Sequence, residues 1–324
     1  MNKTLHTLSL PTALVIAMTM SQTGCHSSKT PEVAPAQDEW PAMPEPGPAP
    51  SFEVPAATEF QLDNGIPVTL IANPKVPLTH IQMNFNWGRF SEKPEKRGLA
   101  ALTSHMLSEG TTTKSALEIS AALQTLASRV SFRSNLEYAA LSIETLDDKL
   151  GDTLTLAADM LVNPAFNPSD IERVKRNIQN AILTERDDLN RTADKVFRKV
   201  LFGDQYLGTW ARGNNATVQS LTRDDLVWWH RTQWRLGNSA LIVVSGLPKD
   251  VVLANLNKAF GSPIDKSKAV PAAMAPKQQA AHDSKTIYWV QKDGASQSVL
   301  MLGNVAPAFD PARSTAQQAG NSVL

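Results

Sequence analysis

Asn64-Gly65 stands between two short runs, residues 58–62 and 66–71, and this arrangement limits the fold more than any other stretch of the chain. An Asn-Gly pair flanked by strand-forming residues is the strongest short signal for a β-hairpin, because both residues tolerate the left-handed backbone of a tight turn. Residues 80–88 then alternate apolar Ile81, Met83, Phe85 and Trp87 with polar Gln82, Asn84 and Asn86. A period of two marks a half-buried strand, with His80 on its solvent side. A chain that opens on neighbouring strands with one apolar face needs helices or a second sheet to cover it.

The covering elements follow. Residues 115–126 repeat apolar side chains at helical spacing (Leu117, Ile119, Ala122, Leu123, Leu126), and residues 146–160 are amphipathic up to the proline of Asn163-Pro164. A long helix is expected from Pro168 to about Leu189, with Ser169 or Asp170 capping its first turn. A further helix begins at Leu221 with Thr222 as its N-cap, and a last one follows Asp310-Pro311. Strands are expected at residues 130–132, 139–143, 238–246, 286–290 and 297–303. Trp228, Trp229 and Trp234 sit beside apolar neighbours and are read as core, and His230 as a helix-surface histidine.

The first 57 residues do not belong to that body. Lys3, an apolar run from Leu8 to Met18 and Thr23-Gly24-Cys25 have the layout of an export signal, since the run is too short to span a bilayer. Small residues before the chain's single cysteine resemble the bacterial lipoprotein processing box, although Gln22 stands where that box usually has leucine. The resemblance implies that Cys25 is acylated; the alternative is a cleaved secretory signal and a soluble periplasmic protein. His26, rather than aspartate, follows the cysteine, which points to the outer membrane, facing the periplasm. Residues 26–57 are rich in Pro, Ala and Glu and form a semi-rigid spacer. Lysine and arginine total 31, equal to aspartate and glutamate at 31, so no global field favours nucleic acid.

Chemistry enters at residues 96–112, where Leu99, Leu102 and Met106 form one helical stripe that ends at Gly110-Thr111. The segment is similar to the metal-binding helix of the pitrilysin/insulinase (inverted-zincin) peptidases, whose pattern is G-L-A-H-x-x-E-H-M followed by G-T. Gly98-Leu99-Ala100, His105-Met106 and Gly110-Thr111 keep the frame, while Ala101 occupies the first histidine's place and Ser104 the glutamate's. Asn163-Pro164-Ala165-Phe166, Leu201-Phe202-Gly203, Leu221-Thr222 and Ala295-Ser296-Gln297-Ser298 also match family motifs in the family's order.

The resemblance implies an α+β fold, an antiparallel sheet flanked by helices in a pitrilysin-like metallopeptidase domain. It divides the chain into a signal peptide (1–25), a linker (26–57), the first domain (58–262), a second linker (263–285) and the incomplete start of a second, similar domain (286–324). Active members hold zinc with both histidines and a glutamate on the long helix, the motif's own glutamate serving as general base. Aligning Glu172-Arg173 and Asp187-Asp188 with that helix puts Asn180-Ala181 at the third ligand's position. With Ala101, Ser104, His105 and Ala181 at the four positions, no catalytic set and no bound metal are expected. The weak alternative ligands are His105, Glu109 and Glu185, the last roughly 6 Å beyond Ala181 along a helix. The implied role is a non-catalytic partner subunit that helps a zinc-bearing homologue bind and process peptides. The alternatives are a metallopeptidase with substitute ligands and a stand-alone peptide-binding lipoprotein.

Overall fold

The computed structural model describes residues 6–9, 47, 55–263, 286–305 and 309–323. Cys25, most of both linkers and most of the export signal lie outside the described residues. The chain divides into two compact units, residues 1–54 with 282–298 and residues 55–281 with 299–324. In the first unit, β1 (His6–Ser9) pairs antiparallel with β8 (Thr286–Trp289). The second unit holds everything that follows.

Its sheet has six strands: β2 (Ala57–Gln61), β3 (Pro67–Ala72), β4 (Leu78–Phe85), β5 (Arg129–Ser134), β6 (Ala139–Leu146) and β7 (Ser239–Ser245). They lie in the order β2-β3-β7-β4-β6-β5. The Asn-Gly hairpin forms as expected, and Asn64 Nδ2 donates to the Phe260 and Ser262 carbonyls at 2.7 and 2.9 Å, pinning the turn to a distant helix end. The sheet expected to be antiparallel contains one parallel pairing, β3 with β7, because β7 inserts between the hairpin and β4. Register builds the core in rows: Leu70, Val243, Ile81 and Ile143 lie across one line, and Val68, Leu241, Met83, Leu141 and Phe132 across the next. All of these side chains are buried, which is the consequence of a strict period of two.

The helices described in this unit are α1 (Leu99–Met106), α2 (Ala116–Thr125), α3 (Leu150–Val162), α4 (Pro168–Thr184), α5 (Leu189–Phe202), α6 (Asn215–Ser220), α7 (Arg223–Gln233), α8 (Lys249–Phe260) and α9 (Pro311–Val323). Ser115 and Glu118 close a capping box on α2, and Thr222 with Asp225 close another on α7. Trp229 and Trp234 are core residues, with Trp87 at 5.5 and 5.1 Å and edge-to-face geometry, whereas Trp228 is exposed.

The exposure of Trp228 corrects its reading as core, and four further expectations need correction. The long helix stops at Thr184; Glu185–Asp187 form a 3-10 turn, and α5 starts afresh with Asp188 accepting from the Arg191 amide. Neither Ser169 nor Asp170 caps α4, because Pro168 occupies the first helical position and Asn167 is the N-cap. His230 is half-buried rather than open to solvent: its Nε2 lies 2.7 Å from the Leu161 carbonyl oxygen, and desolvation depresses its pKa. Residues 297–303 are not a strand, having no ladder partner among the described residues.

Candidate functional site

Helix α1 packs against α4, α7 and β5. Leu99, Ala100, Leu102, Thr103, Ser104 and Met106 are all buried, so an eight-residue helix leaves Ala101 and His105 as its open face. Residues at i and i+4 share a helix face, and in an inverted zincin this pair would be the two histidines. His105 does face outward there. Its pKa is lowered by desolvation first and by the Arg212 guanidinium second, with Glu109 pulling it back up.

The start of α1 is held by a residue that motif spacing could not reveal. Glu92 is 4% exposed, and its Oε1 accepts from the amides of Ala100 at 2.7 Å and Gly98 at 3.2 Å. It lies too far upstream for a capping box, so the chain must fold back through a 3-10 turn, Pro94–Lys96, to bring it there. Burial pushes its carboxyl up to about 7 against the opposing pull of these two amides and of Arg89 and Arg97.

A catalytic zinc wants three protein ligands and a water. The residues at the family's positions do not meet that need. Ser104 is buried and its hydroxyl donates to the Ala100 carbonyl at 2.8 Å, inside its own helix. Ala101 and Ala181 offer no donor atom, and the amide of Asn180 beside Ala181 is not among the side chains that ordinarily hold zinc. The two carboxylates that sequence put forward as substitutes are already committed to cations. Glu109 pairs with Arg173, which also contacts Asp170 at 3.2 Å, so the ion pair of Glu109 is with α4 and not with His105. Glu185 is 6% exposed; one of its oxygens accepts from Arg212 at 2.6 Å and Arg191 at 3.1 Å, and the other from Lys195 at 2.9 Å. Among the described residues no group of three His, Cys, Asp or Glu converges on a point where a metal could sit. Zinc does not fit this donor set.

Two further features adjoin α1. Strand β5 is the outer strand of the sheet, with β6 on one side. Beside it lies a cleft of about 570 Å³ lined by Ser108, Ile119, Leu123, Arg129, Val130 and Met160. Sequence patterning identified β5 as a strand but carried no information on its place at the edge.

Comparison with known proteins agrees with this architecture. The model for "Insulinase (Peptidase family M16)" matches residues 67–209, and that for "Peptidase M16 inactive domain" matches residues 220–324. The chain is 26% identical over 210 residues to an uncharacterized zinc protease, YmxG, of Bacillus subtilis, covering 65% of this chain and 51% of that protein. It is 25% identical over 195 residues to a "non-peptidase homolog YmxG" of Helicobacter pylori, covering 60% and 45% respectively. The chain thus spans about half the length of the curated relatives it matches. Among solved structures, a peptidase M16 inactive domain from Pseudomonas fluorescens superposes with a TM-score of 0.63 at 20% identity, covering 70% of this chain and 54% of that one. Pitrilysin superposes with a TM-score of 0.61 at 17% identity, covering 70% and 25%. With two models of one family matched in order along the chain, and a helix that keeps that family's frame, the chain belongs to the insulinase family, peptidase family M16.

Proposed function

We propose that this protein is a non-catalytic member of the insulinase family that serves as a partner subunit, helping a zinc-bearing homologue to bind and process peptides. The observation that carries this reading is the pairing of an intact α1 frame with Ala101, Ser104 and Ala181 at the positions of ligand, base and ligand. The edge of the sheet supports this reading. An outer strand presents a row of unused amide and carbonyl groups, and an extended peptide adds to such an edge by main-chain hydrogen bonds while a neighbouring cleft reads its side chains. Here β5 supplies the edge and the Ile119–Leu123–Met160 cleft the apolar contact. Acylation at Cys25 would keep the chain at the outer membrane on the periplasmic side, with residues 26–57 as spacer; no described helix is long and apolar enough to cross a membrane.

Solubilising membranes, isolating the chain and measuring zinc in each co-purifying species tests this. The expected result is a zinc-bearing homologue in the complex and substoichiometric zinc on this chain. Stoichiometric zinc on this chain, lost on His105→Ala, would overturn the reading in favour of a metallopeptidase with substitute ligands. A metal-free chain without a homologous companion would leave the scaffold role.

A further inference from the structure

The face of the sheet opposite the buried rows carries a second cleft, and its lining differs in kind from that of the cleft beside β5. Along β4, Ile81, Met83 and Phe85 are buried in the core, so Gln82, Asn84 and Asn86 fall on the other face. Asn84 pairs with Ala240 of β7, and a methyl group beside a longer amide leaves a trough. With Tyr138 and Asn238 these residues line a cleft of about 500 Å³, within the range of roughly 300–1,000 Å³ usual for small-molecule sites.

Backbone bonds fix its walls. The Asn86 amide donates to the Asn238 carbonyl at 2.9 Å, and Asn238 Nδ2 donates to the Asn86 carbonyl at 3.0 Å, which ties the end of β4 to the turn before β7. The turn leading to Tyr138 is held against Gly88, where a Cβ would stand 2.1 Å from the Leu136 carbonyl oxygen. There the Arg89 and Phe90 amides donate to the Asn135 and Leu136 carbonyls at 2.9 and 3.1 Å. Gln82 Nε2 donates to Asn84 Oδ1 at 2.8 Å. That bond leaves Gln82 Oε1 and Asn84 Nδ2 without a protein partner among the described residues, and the Asn86 side-chain amide and the Tyr138 hydroxyl have none either.

We propose that this cleft binds a neutral saccharide, a pyranose ring set on Tyr138 with its hydroxyls on the amides of Gln82, Asn84, Asn86 and Asn238. A side-chain amide presents a donor and an acceptor side by side in one plane, and sugar hydroxyls both donate and accept. An aromatic ring adds a flat apolar surface with a polar tip, which suits the C–H face of a pyranose. Among the described residues that line the cleft none is charged, so an ionic ligand would lose water and gain no counter-charge. An extended peptide is the poorer match, because β4 lies between β7 and β6 and β7 between β3 and β4. Neither strand has an open edge for a peptide main chain to join.

The test titrates the full chain with maltose, cellobiose and N,N′-diacetylchitobiose, reading contact by saturation-transfer NMR and affinity by calorimetry. Saturable binding of at least one of them is expected. Ala240→Leu, which fills the trough at an exposed strand position, and Tyr138→Ala, which removes the ring, are each expected to weaken it about tenfold or more. Circular dichroism confirms that the variants are folded, and either one suffices if the other is not. No saturable binding of any of the three sugars would overturn the proposal, and so would binding that the variants leave unchanged, since it would lie elsewhere. Binding of an uncharged Asn/Gln-rich peptide in place of the sugars, weakened by the same variants, would overturn it in favour of a peptide site. None of the lining residues belongs to α1 or α4, so the proposal does not rest on the partner-subunit reading and the two can fail separately.

Discussion

Replacing Glu92 by glutamine isolates the strain that burial places on one carboxyl. In the folded protein its pKa is pushed up to about 7 from an ordinary 4.5. The folded state therefore holds the proton more tightly than the unfolded chain does. By linkage, the carboxyl is without penalty at pH values below the unfolded pKa and destabilises progressively as pH rises from about 4.5 to about 7. At 1.36 kcal/mol per pKa unit, the accumulated penalty above pH 7 is on the order of 3 kcal/mol. Glutamine keeps a carbonyl oxygen for the Gly98 and Ala100 amides and carries no charge to desolvate. Urea unfolding at pH 5 and pH 8 compares the two chains directly. Glu92→Gln is expected to change stability little at pH 5 and to add roughly 2–3 kcal/mol at pH 8. With a shift of about 2–4 °C per kcal/mol for a domain of this size, the melting temperature at pH 8 should rise by several degrees. Other groups titrate as well, so the informative quantity is the difference between variant and parent at each pH. A gap that is the same at both pH values, or a variant less stable at pH 8, would refute the assignment of Glu92 as a buried acid held against its charge.

Two further outcomes follow from backbone geometry and capping. Gly213→Ala should destabilise by about 2–4 kcal/mol, since its Cβ would stand 2.2 Å from the Arg97 carbonyl oxygen at a φ of 72°; calorimetric melting checks it, and a neutral result would show that the contact relaxes freely. Thr222→Ala should lose about 1 kcal/mol with its capping box, whereas Asn167→Ala, at an N-cap whose side chain makes no capping bond, should lose a few tenths at most. Denaturant midpoints of the two variants, measured side by side, decide this contrast, and equal losses would count against it.

The readable part of this fold was the part governed by local periodicity. The hairpin at Asn64-Gly65, the two-residue alternation of β4 and the capping residue Thr222 each act within a few residues, and each formed where the pattern placed it. The parallel insertion of β7 between β3 and β4 depends on contacts across more than 150 residues, as in Val68 opposite Leu241, and left no local mark. At the site, the family frame gave α1 and its open face. Glu92 and Arg212 left no local mark, nor did the pairing of Arg173 with Glu109, because each acts on α1 or its neighbours through chain reversal: Arg173 meets Glu109 across 64 positions, and Arg212 meets Glu185 across 27. A charged residue outside the apolar stripes is ordinarily solvated, and nothing adjacent in sequence shows which of them find such partners. The end of α4 shows the opposite failure. The apolar stripe Ile171, Val174, Ile178 and Ile182 is buried as expected, but the pattern has no terminator before Glu185, whose carboxylate turns inward to three cations rather than outward to solvent.

The residues at the open face of α1 and those that pack it into the core are different residues of the same helix. Leu99, Leu102 and Met106 are 3%, 0% and 1% exposed. Burying each is worth about 1.5–3 kcal/mol as an upper estimate. Glu92 satisfies two of the four amides that a helix start leaves unpaired, and the close approach of Gly98 to the Arg212 carbonyl fixes the angle at which the helix enters. None of these interactions passes through Ala101 or His105. An open i,i+4 face that contributes nothing to the core is free to lose its ligands without unfolding the helix, whereas a change at Leu102 would strike the core directly. Ser104 shows where that freedom ends. It is buried, and a carboxylate there would be desolvated without a metal to compensate it. A small hydroxyl bonded to its own helix carries no such cost at that buried position.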